Sequence, residues 1–531
     1  MRRLLAAAIV AAGTIIAPAY PAAFRAPLAS GQPGDSVCAV ILSLNDEHGA
    51  LLPERYSWSG DRPAGGAVAA AAYVSRVRST SRCPVFLLSA GDLWQGTLIS
   101  NLTRGRASID VMNELGYDAV AIGNHEFDWG IRTLRELTQR ARFPFLSANI
   151  FGKGTDRHPP WARPYVILEK EGVRVGVIGV TTLSTPYTTH PDSVADLDFR
   201  SISEALDRYI PRVRAAGAHF VVALIHAGGF CRDGEPPGIR CAGEAIDGLE
   251  GTKSRFDYAI TGHTHSRISD TLRGAPVVQS YANLSAIGRG RLVRHPSGEV
   301  VSELIEIATL YPDAAGDQAG GVAALVERYA EEAREVAERP IATLADPLEE
   351  AYRGASTLGR IIADAQRRAA GAEIAFMNNG GIRAALPAGP VSYGEVFRVH
   401  PFQNTLIRLT LSGRLLLAAL ESSLDEEGIA SNISGLKVEY DAEAAERRVL
   451  CARLADGRPV RPDSTYSVVV NSFMAAGGAG YWMFKEADAA EQTGIVDVDA
   501  LVDYLQALPQ PVRAPREPRW IPVTDGRPTC S

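Results

Sequence analysis

Apolar, β-branched runs recur along the chain, each closing on a short polar segment. They cover Val37 to Leu44, Val85 to Ser89, Ala119 to Ile122, Phe145 to Ser147, Phe220 to Ile225 and Tyr258 to Ile260. Between them lie stretches with helical spacing: Ala67 to Arg78, Ser108 to Leu115, Ile131 to Arg140 and Ser203 to Ala215. Strands that alternate with helices predict an α/β layered domain. Three later runs, Val277 to Tyr281, Arg289 to Arg294 and Val300 to Ala308, are expected to close a second sheet, giving a sheet-on-sheet core flanked by helices.

Gly316 to Gly321 breaks the pattern. Val322 to Glu338, rich in Ala, Glu and Arg, reads as one long exposed helix linking two domains. A second α/β pattern follows, with helices expected at Leu358 to Ala370 and Gly413 to Ser422. Its strands are expected at Ile374 to Asn378, Leu406 to Leu411, Leu436 to Asp441 and Tyr466 to Asn471. The expected organisation is a catalytic domain over residues 36–308, a linker with its helix over 309–339 and a second domain over 340–522. The 531-residue length suits two large domains.

The first residues follow different rules. Arg2 and Arg3 precede the apolar stretch Leu4 to Ile16, and Ala17-Pro18-Ala19 has the small-residue form of a cleavage site. Residues 1–19 therefore read as a secretory signal, and the mature protein is expected to be periplasmic or secreted, without a membrane span. Export makes disulfides the natural reading of the six cysteines. Cys231 with Cys241 brackets a Gly/Pro-rich loop and is the first pair expected. Cys38 and Cys83 enter neighbouring strands and could bridge them, and Cys451 with Cys530 would pin the tail. The net charge of −7, with no long basic run, argues against bulk nucleic-acid binding.

The polar segments after the strands carry the chemistry. They are Asn45-Asp46-Glu47-His48-Gly49, Gly91-Asp92-Leu93-Trp94-Gln95-Gly96, Gly123-Asn124-His125-Glu126-Phe127-Asp128, Ser147-Ala148-Asn149, His226 and Gly262-His263-Thr264-His265. Ligands of open α/β sheets bind beyond the carboxyl ends of the strands. Asp46 with His48, and His263 with His265, lie two apart, so on extended backbone each pair shares a face. Asp92 can bridge two ions, Asn124 offers a carbonyl oxygen and His226 an imidazole. Mixed N/O ligation suits Zn²⁺, Mn²⁺ or Fe²⁺. Two divalent ions so held can activate water and clamp a phosphoryl group.

These motifs resemble those of the secreted 5′-nucleotidase / UDP-sugar hydrolase branch of the calcineurin-like metallophosphoesterases, over nearly the whole mature chain. The resemblance implies a four-layer α/β/β/α metallophosphoesterase domain, a linker helix and a C-terminal α/β substrate domain that swings toward the metals. It implies that Asp46, His48, Asp92 and His265 hold one metal and Asp92, Asn124, His226 and His263 the other. His125, oriented by Asp128, would serve as the catalytic pair.

In the second domain, Arg383 within Asn378-Asn379-Gly380-Gly381-Ile382-Arg383 matches an arginine that grips the substrate's anionic end. Arg353 resembles a second, although its spacing to Gly359 is one residue short of the family pattern. Phe402 and Phe473 match aromatics that sandwich a nucleobase, and Asn379 and Asn404 belong to the same motifs. The implied activity is release of phosphate from nucleoside 5′-phosphates, with UDP-sugars and nucleoside di- or triphosphates as further substrates. A 2′,3′-cyclic-nucleotide 2′-phosphodiesterase/3′-nucleotidase would share the metal motifs. Sulfate-ester or thiosulfate hydrolysis and a catalytically inactive binding protein are more distant readings. One departure stands out: the family's Gly-Gly-Asp-Gly, whose Asp holds ribose hydroxyls, is here Gly477-Gly478-Ala479-Gly480. Ala479 implies weaker ribose discrimination or a different substrate.

Overall fold

The computed structural model describes residues 36–523 apart from 60–61, 233–239, 315–318, 426–427 and 445–447. The expected signal segment and Cys530 lie outside the described residues.

Two six-stranded sheets form the N-terminal domain. The first runs, in spatial order, Val300–Thr309, Ala286–Arg294, Val37–Leu44, Val85–Ser89, Ala119–Ala121 and Phe145–Leu146. The second runs Arg267–Leu272, Ala275–Ser280, Tyr258–Thr261, Phe220–His226, Val173–Thr181 and Tyr165–Lys170. The sheets face each other across an apolar layer that includes Ile41, Phe86, Leu88, Val175, Val177, Leu224 and Ile260, all fully buried. Strands buried on both faces read as continuous apolar runs rather than as alternating ones, as these do. The helices Ala67–Thr80, Arg106–Leu115 and Gly130–Arg140 cover the outer face of the first sheet. Ile202–Ala215 and Glu244–Gly251 cover the second, completing the α/β/β/α layering.

Two expectations change. Of the three late runs expected to close a second sheet, only Ala275–Ser280 does so. Ala286–Arg294 pairs antiparallel with Val37–Leu44, and Val300–Thr309 pairs with Ala286–Arg294, so both extend the first sheet. The second sheet is instead completed by Arg267–Leu272, Val173–Thr181 and Tyr165–Lys170, none of them among the expected strands.

The linker helix also differs. Gly320–Ala337 is not exposed all round. Val322, Val326, Tyr329 and Ala333 make an i, i+4, i+7, i+11 stripe that packs into the first sheet's helical layer. Tyr329 Oη donates to Asp110 at 2.6 Å.

The C-terminal domain is built on a five-stranded sheet in the order Ser431–Ser434, Ile374–Asn378, Thr465–Asn471, Thr405–Ser412 and Ala489–Val496. Thr357–Ala369 and Asp497–Ala507 pack on one face and Gly413–Ser422 on the other. Cys38–Cys83 and Cys231–Cys241 are disulfides. Cys451 is disulfide-bonded too. Among the described residues no helix is long and apolar enough to cross a membrane.

Candidate metal centre

The parallel strands of both sheets end at one edge. Asp46, Asp92 and Asn124 follow three strands of the first sheet, while His226 closes a strand of the second and His263 follows another. The backbone makes a tight turn after each. Asp46, His48, Asp92, His263 and His265 all have positive φ, between 49° and 75°. Such left-handed conformations are uncommon away from glycine and cluster where side chains must be aimed. Gly91 belongs to the same device: at φ 100° its absent Cβ would lie 2.6 Å from the Ala121 carbonyl and 2.8 Å from the Gly123 nitrogen.

Two groups of ligand atoms result. Asp46, His48 and His265 converge in one, and Asp92, His226 and His263 in the other, each with its donor atoms within 4.8 Å of one another. Asp92 lies between them, with Oδ2 3.1 Å from His226 Nε2 and 4.0 Å from His48 Nε2. Asn124 Oδ1 is 3.0 Å from His226 Nε2, placing the neutral oxygen in the second group. All seven residues expected to be ligands are thus brought together.

The chemistry of these donors fits cations. His48 Nε2 and His265 Nε2 face each other at 2.9 Å. Burial lowers the His48 and His263 imidazoles to about 3 and holds His265 well below its ordinary value, so all three are neutral. His48 Nδ1 bonds the Gln95 carbonyl at 2.7 Å and His226 Nδ1 the Ala90 carbonyl at 2.8 Å. In neutral His48 the bond assigns the proton to Nδ1 and leaves the Nε2 lone pair for a ligand, while in His226 it holds Nδ1–H in place so that Nε2 is the position that would exchange its proton for a cation. Asp92 Oδ2 is buried without a well-directed hydrogen-bond donor. Burial pushes the Asp92 carboxyl up, but the positive charges of His226 and His125 outweigh it and hold the group well below the usual range. His226 is the counterpart: burial pushes it down, and the carboxylates of Asp92, Asp46 and Glu126 carry it up to about 10. A buried carboxylate oxygen with no well-directed donor, beside His226 and close to the neutral His48, is the environment of a metal ligand.

His125 Nδ1 bonds Asp128 Oδ2 at 2.6 Å, and Thr189 donates to Asp128 Oδ1 at 2.8 Å. Burial pushes His125 down, while Asp128 and Asp92 raise it above its ordinary value. The His125 and Asp128 side chains, expected to act as a pair, are therefore in contact.

Three further residues emerge from the fold. Glu126 is buried and accepts from the backbone N–H groups of Asp92 (2.9 Å), Leu93 (2.8 Å) and Gly123 (2.6 Å), locking two ligand turns together. Glu47 accepts from Ser89 Oγ at 3.0 Å and Tyr117 Oη at 2.9 Å, beneath the first turn. Asn149 takes no place among the ligand atoms. Its amide bonds the backbone of Thr181 and Arg200, strapping the fourth polar segment, Ser147-Ala148-Asn149, to the second sheet. Glu47 and Glu126 stand inside the sequence motifs, but their spacing does not distinguish a ligand from a support.

The C-terminal domain reaches this centre. The Phe402 ring lies 5.7 Å from that of His125, and the Arg383 guanidinium 5.9 Å from the Phe402 ring. The positive charge of Arg383 helps depress His48, His263 and His265. Phe473 packs against Gly478 so closely that no Cβ fits there. Ser472 Oγ donates to Asn404 Oδ1 at 3.1 Å.

Asn379 serves differently from its expected contact with substrate. Its Nδ2 bonds the carbonyls of Gly354 (3.0 Å) and Ile429 (2.9 Å), and its Oδ1 accepts from Asn432. With both ends committed, it holds the loop that carries Arg353. That arginine is half-buried, its guanidinium 5.3 Å from the ring of Tyr352.

Known proteins resemble this chain in sequence and fold. A family model described as the 5′-nucleotidase C-terminal domain matches residues 340–486, and one described as the bacterial capsule synthesis protein PGA_cap matches 85–239. The 5′-nucleotidase of Vibrio cholerae is 28% identical, over 96% of this chain and 96% of its own length. The endonuclease YhcR of Bacillus subtilis is also 28% identical over 92% of this chain, which spans only 41% of that longer protein. The crystal structure of the 5′-nucleotidase precursor from Thermus thermophilus superposes with a TM-score of 0.80 at 29% identity, covering 92% of this chain and 99% of that one. With both halves matched in order, from the metal turns to the substrate domain, the chain belongs to the 5′-nucleotidase family of the metallophosphoesterase superfamily.

Proposed function

We propose that this enzyme, a metal-dependent phosphoric monoester hydrolase of the 5′-nucleotidase type, releases phosphate from nucleoside 5′-phosphates in an oxidising compartment outside the cytoplasm. The observation that carries the substrate is the contact of Phe402 with His125, with Arg383 beside that ring and its charge felt by His48, His263 and His265. An aromatic face, a guanidinium and the candidate metal centre within one cleft suit a ligand with a flat base at one end and a phosphate at the other. Bound divalent ions would supply positive charge at the phosphoryl oxygens and acidify the attacking water. Asp46, His48, Asp92 and His265 would hold one, and Asp92, Asn124, His226 and His263 the other.

The chain's own groups do the rest. Arg383 orients the anionic end of the substrate, and Phe402 and Phe473 hold the base. His125, its Nδ1 bonded to Asp128, presents its other ring nitrogen to the phosphoryl group or the leaving oxygen. There it stabilises charge or donates a proton. Export is supported by the disulfides, which persist in oxidising compartments.

The test is phosphate release by Mn²⁺- or Zn²⁺-loaded protein across AMP, 3′-AMP, 2′,3′-cyclic AMP, UDP-glucose, ATP and an aryl phosphate. Preference for AMP or UDP-glucose supports this reading. Turnover confined to the cyclic nucleotide or the aryl phosphate overturns the substrate and keeps the metal chemistry.

A further inference from the structure

A second buried His–carboxylate pair lies in the substrate domain, outside the candidate metal centre. His400 and Asp497 are both fully buried, with Nε2 2.8 Å from Oδ2, close in distance although the N–H is not well aligned. His400 Nδ1 meets the Gly381 carbonyl at 2.9 Å. Both ring nitrogens therefore face acceptors, a carbonyl and a carboxylate, which an imidazole satisfies only when both carry protons. A buried charged pair is costly to make and is retained where it specifies an arrangement.

The arrangement it specifies is the substrate pocket. Gly381 lies in the loop that carries Arg383, and the Arg383 N–H bonds the Val399 carbonyl at 2.9 Å. His400 opens the turn Pro401-Phe402-Gln403-Asn404. Asp497 closes it from the other side: its backbone N–H donates to the Asn404 carbonyl at 2.8 Å. Across the domain boundary, Asn101 Nδ2 donates to the Pro401 carbonyl at 2.6 Å. Gln403, at φ 56°, completes a turn held from three elements. One imidazole thus ties the loop that grips phosphate to the turn that carries the stacking ring, and one aspartate ties both to the first turn of Asp497–Ala507.

We propose that His400 and Asp497 are positioning residues that set the spacing between Arg383 and Phe402, and through it the enzyme's affinity for nucleotides over phosphate esters without a base. The proposal rests on the reading of Phe402 as part of the base clamp.

The experiment compares kcat and KM for AMP and for an aryl phosphate, using metal-loaded full-length protein. In Asp497→Ala the KM for AMP is expected to rise about tenfold or more, and kcat/KM for AMP to fall about fivefold or more beyond that for the aryl phosphate, which shares the Arg383 contact but not the stacking ring. Asp497→Asn should recover most of the difference, because its amide can donate to a neutral His400 whose Nδ1–H still reaches Gly381. Equal losses on both substrates, or Asn behaving like Ala, would overturn the positioning role and leave the pair a stabiliser of the fold. Should Asp497→Ala not fold, His400→Gln carries the same comparison. Wild-type enzyme that does not prefer AMP to the aryl phosphate would instead refute the base clamp itself.

Discussion

Burial and Asp92 raise the Glu126 carboxyl to about 7, so above that pH replacing Glu126 by Gln removes a charge and one acceptor without changing shape. Glu126 Oε2 accepts from Asp92 N and Gly123 N, and Oε1 from Leu93 N. A Gln carbonyl placed at the Oε2 position keeps two bonds, but its amide nitrogen then faces the N–H of Leu93, donor against donor. That leaves a buried N–H unsatisfied, at about 1–3 kcal/mol, and turns two charge-assisted bonds into neutral ones, for a total of about 2–5 kcal/mol.

The strain falls on the turns that present Asp92 and Asn124, so metal affinity should weaken about 10–100-fold, the usual cost of losing the groups that orient ligands. Glu47→Gln is the matched control. Its partners are the hydroxyls of Ser89 and Tyr117, which can rotate to accept as well as donate. Burial also pushes Glu47 up to about 8, so at neutral pH it already resembles an amide. The assay is metal content after dialysis against graded metal buffers, with urea unfolding in parallel. Unchanged affinity in Glu126→Gln, or the same loss in both variants, would refute the reasoning.

Three other outcomes follow from the geometry. His125→Ala should keep both metals and lose about 10²–10⁴ in kcat; metal analysis beside steady-state kinetics checks it, and loss of metal would contradict the role. Ala479 sits at φ 53°, a conformation Asp tolerates better than Ala, so Ala479→Asp should fold normally and raise kcat/KM for AMP; an unchanged value means that ribose is not read there. In His400, burial pushes the imidazole down and Asp497 outweighs it, raising the group above its ordinary value. A raised folded-state pKa gives stability that is full below about 6.5 and is lost as pH rises through the folded value. The stability difference between wild type and His400→Gln in urea unfolding should therefore shrink from pH 5.5 toward alkaline pH, and a widening difference would refute the assignment.

Much of this was legible in sequence because strand ends are local. An apolar run followed by Asp, Asn or His announces both a strand and what stands at its edge, so all seven ligand candidates could be named before the fold was known. Phe402, Arg383 and Ala479 were legible for a different reason, resemblance to a family, which periodicity alone would not have supplied. The run Val173–Thr181 shows the limit. It is as apolar as its neighbours but ends in Thr181, with no ligand to mark it, although its place beside Phe220–His226 helps align both sheets.

The sequence by itself determined which groups carry the chemistry and in what order they come. Only the tertiary structure decided what each one touches. It sent the two late strands to the first sheet, because Val37–Leu44 was the edge left open there: Ala286–Arg294 pairs antiparallel with it, and Val300–Thr309 with Ala286–Arg294 in turn. It laid the linker helix down on its Val322–Ala333 stripe, because an apolar stripe packs against any apolar layer within reach. It also separated Asp46 and Asp92, beside the imidazoles, from Glu47 and Glu126, whose carboxylates are consumed by hydroxyls and backbone N–H groups. A carboxylate's role depends on the donors that reach it, and in this chain those donors come from residues up to 70 positions away.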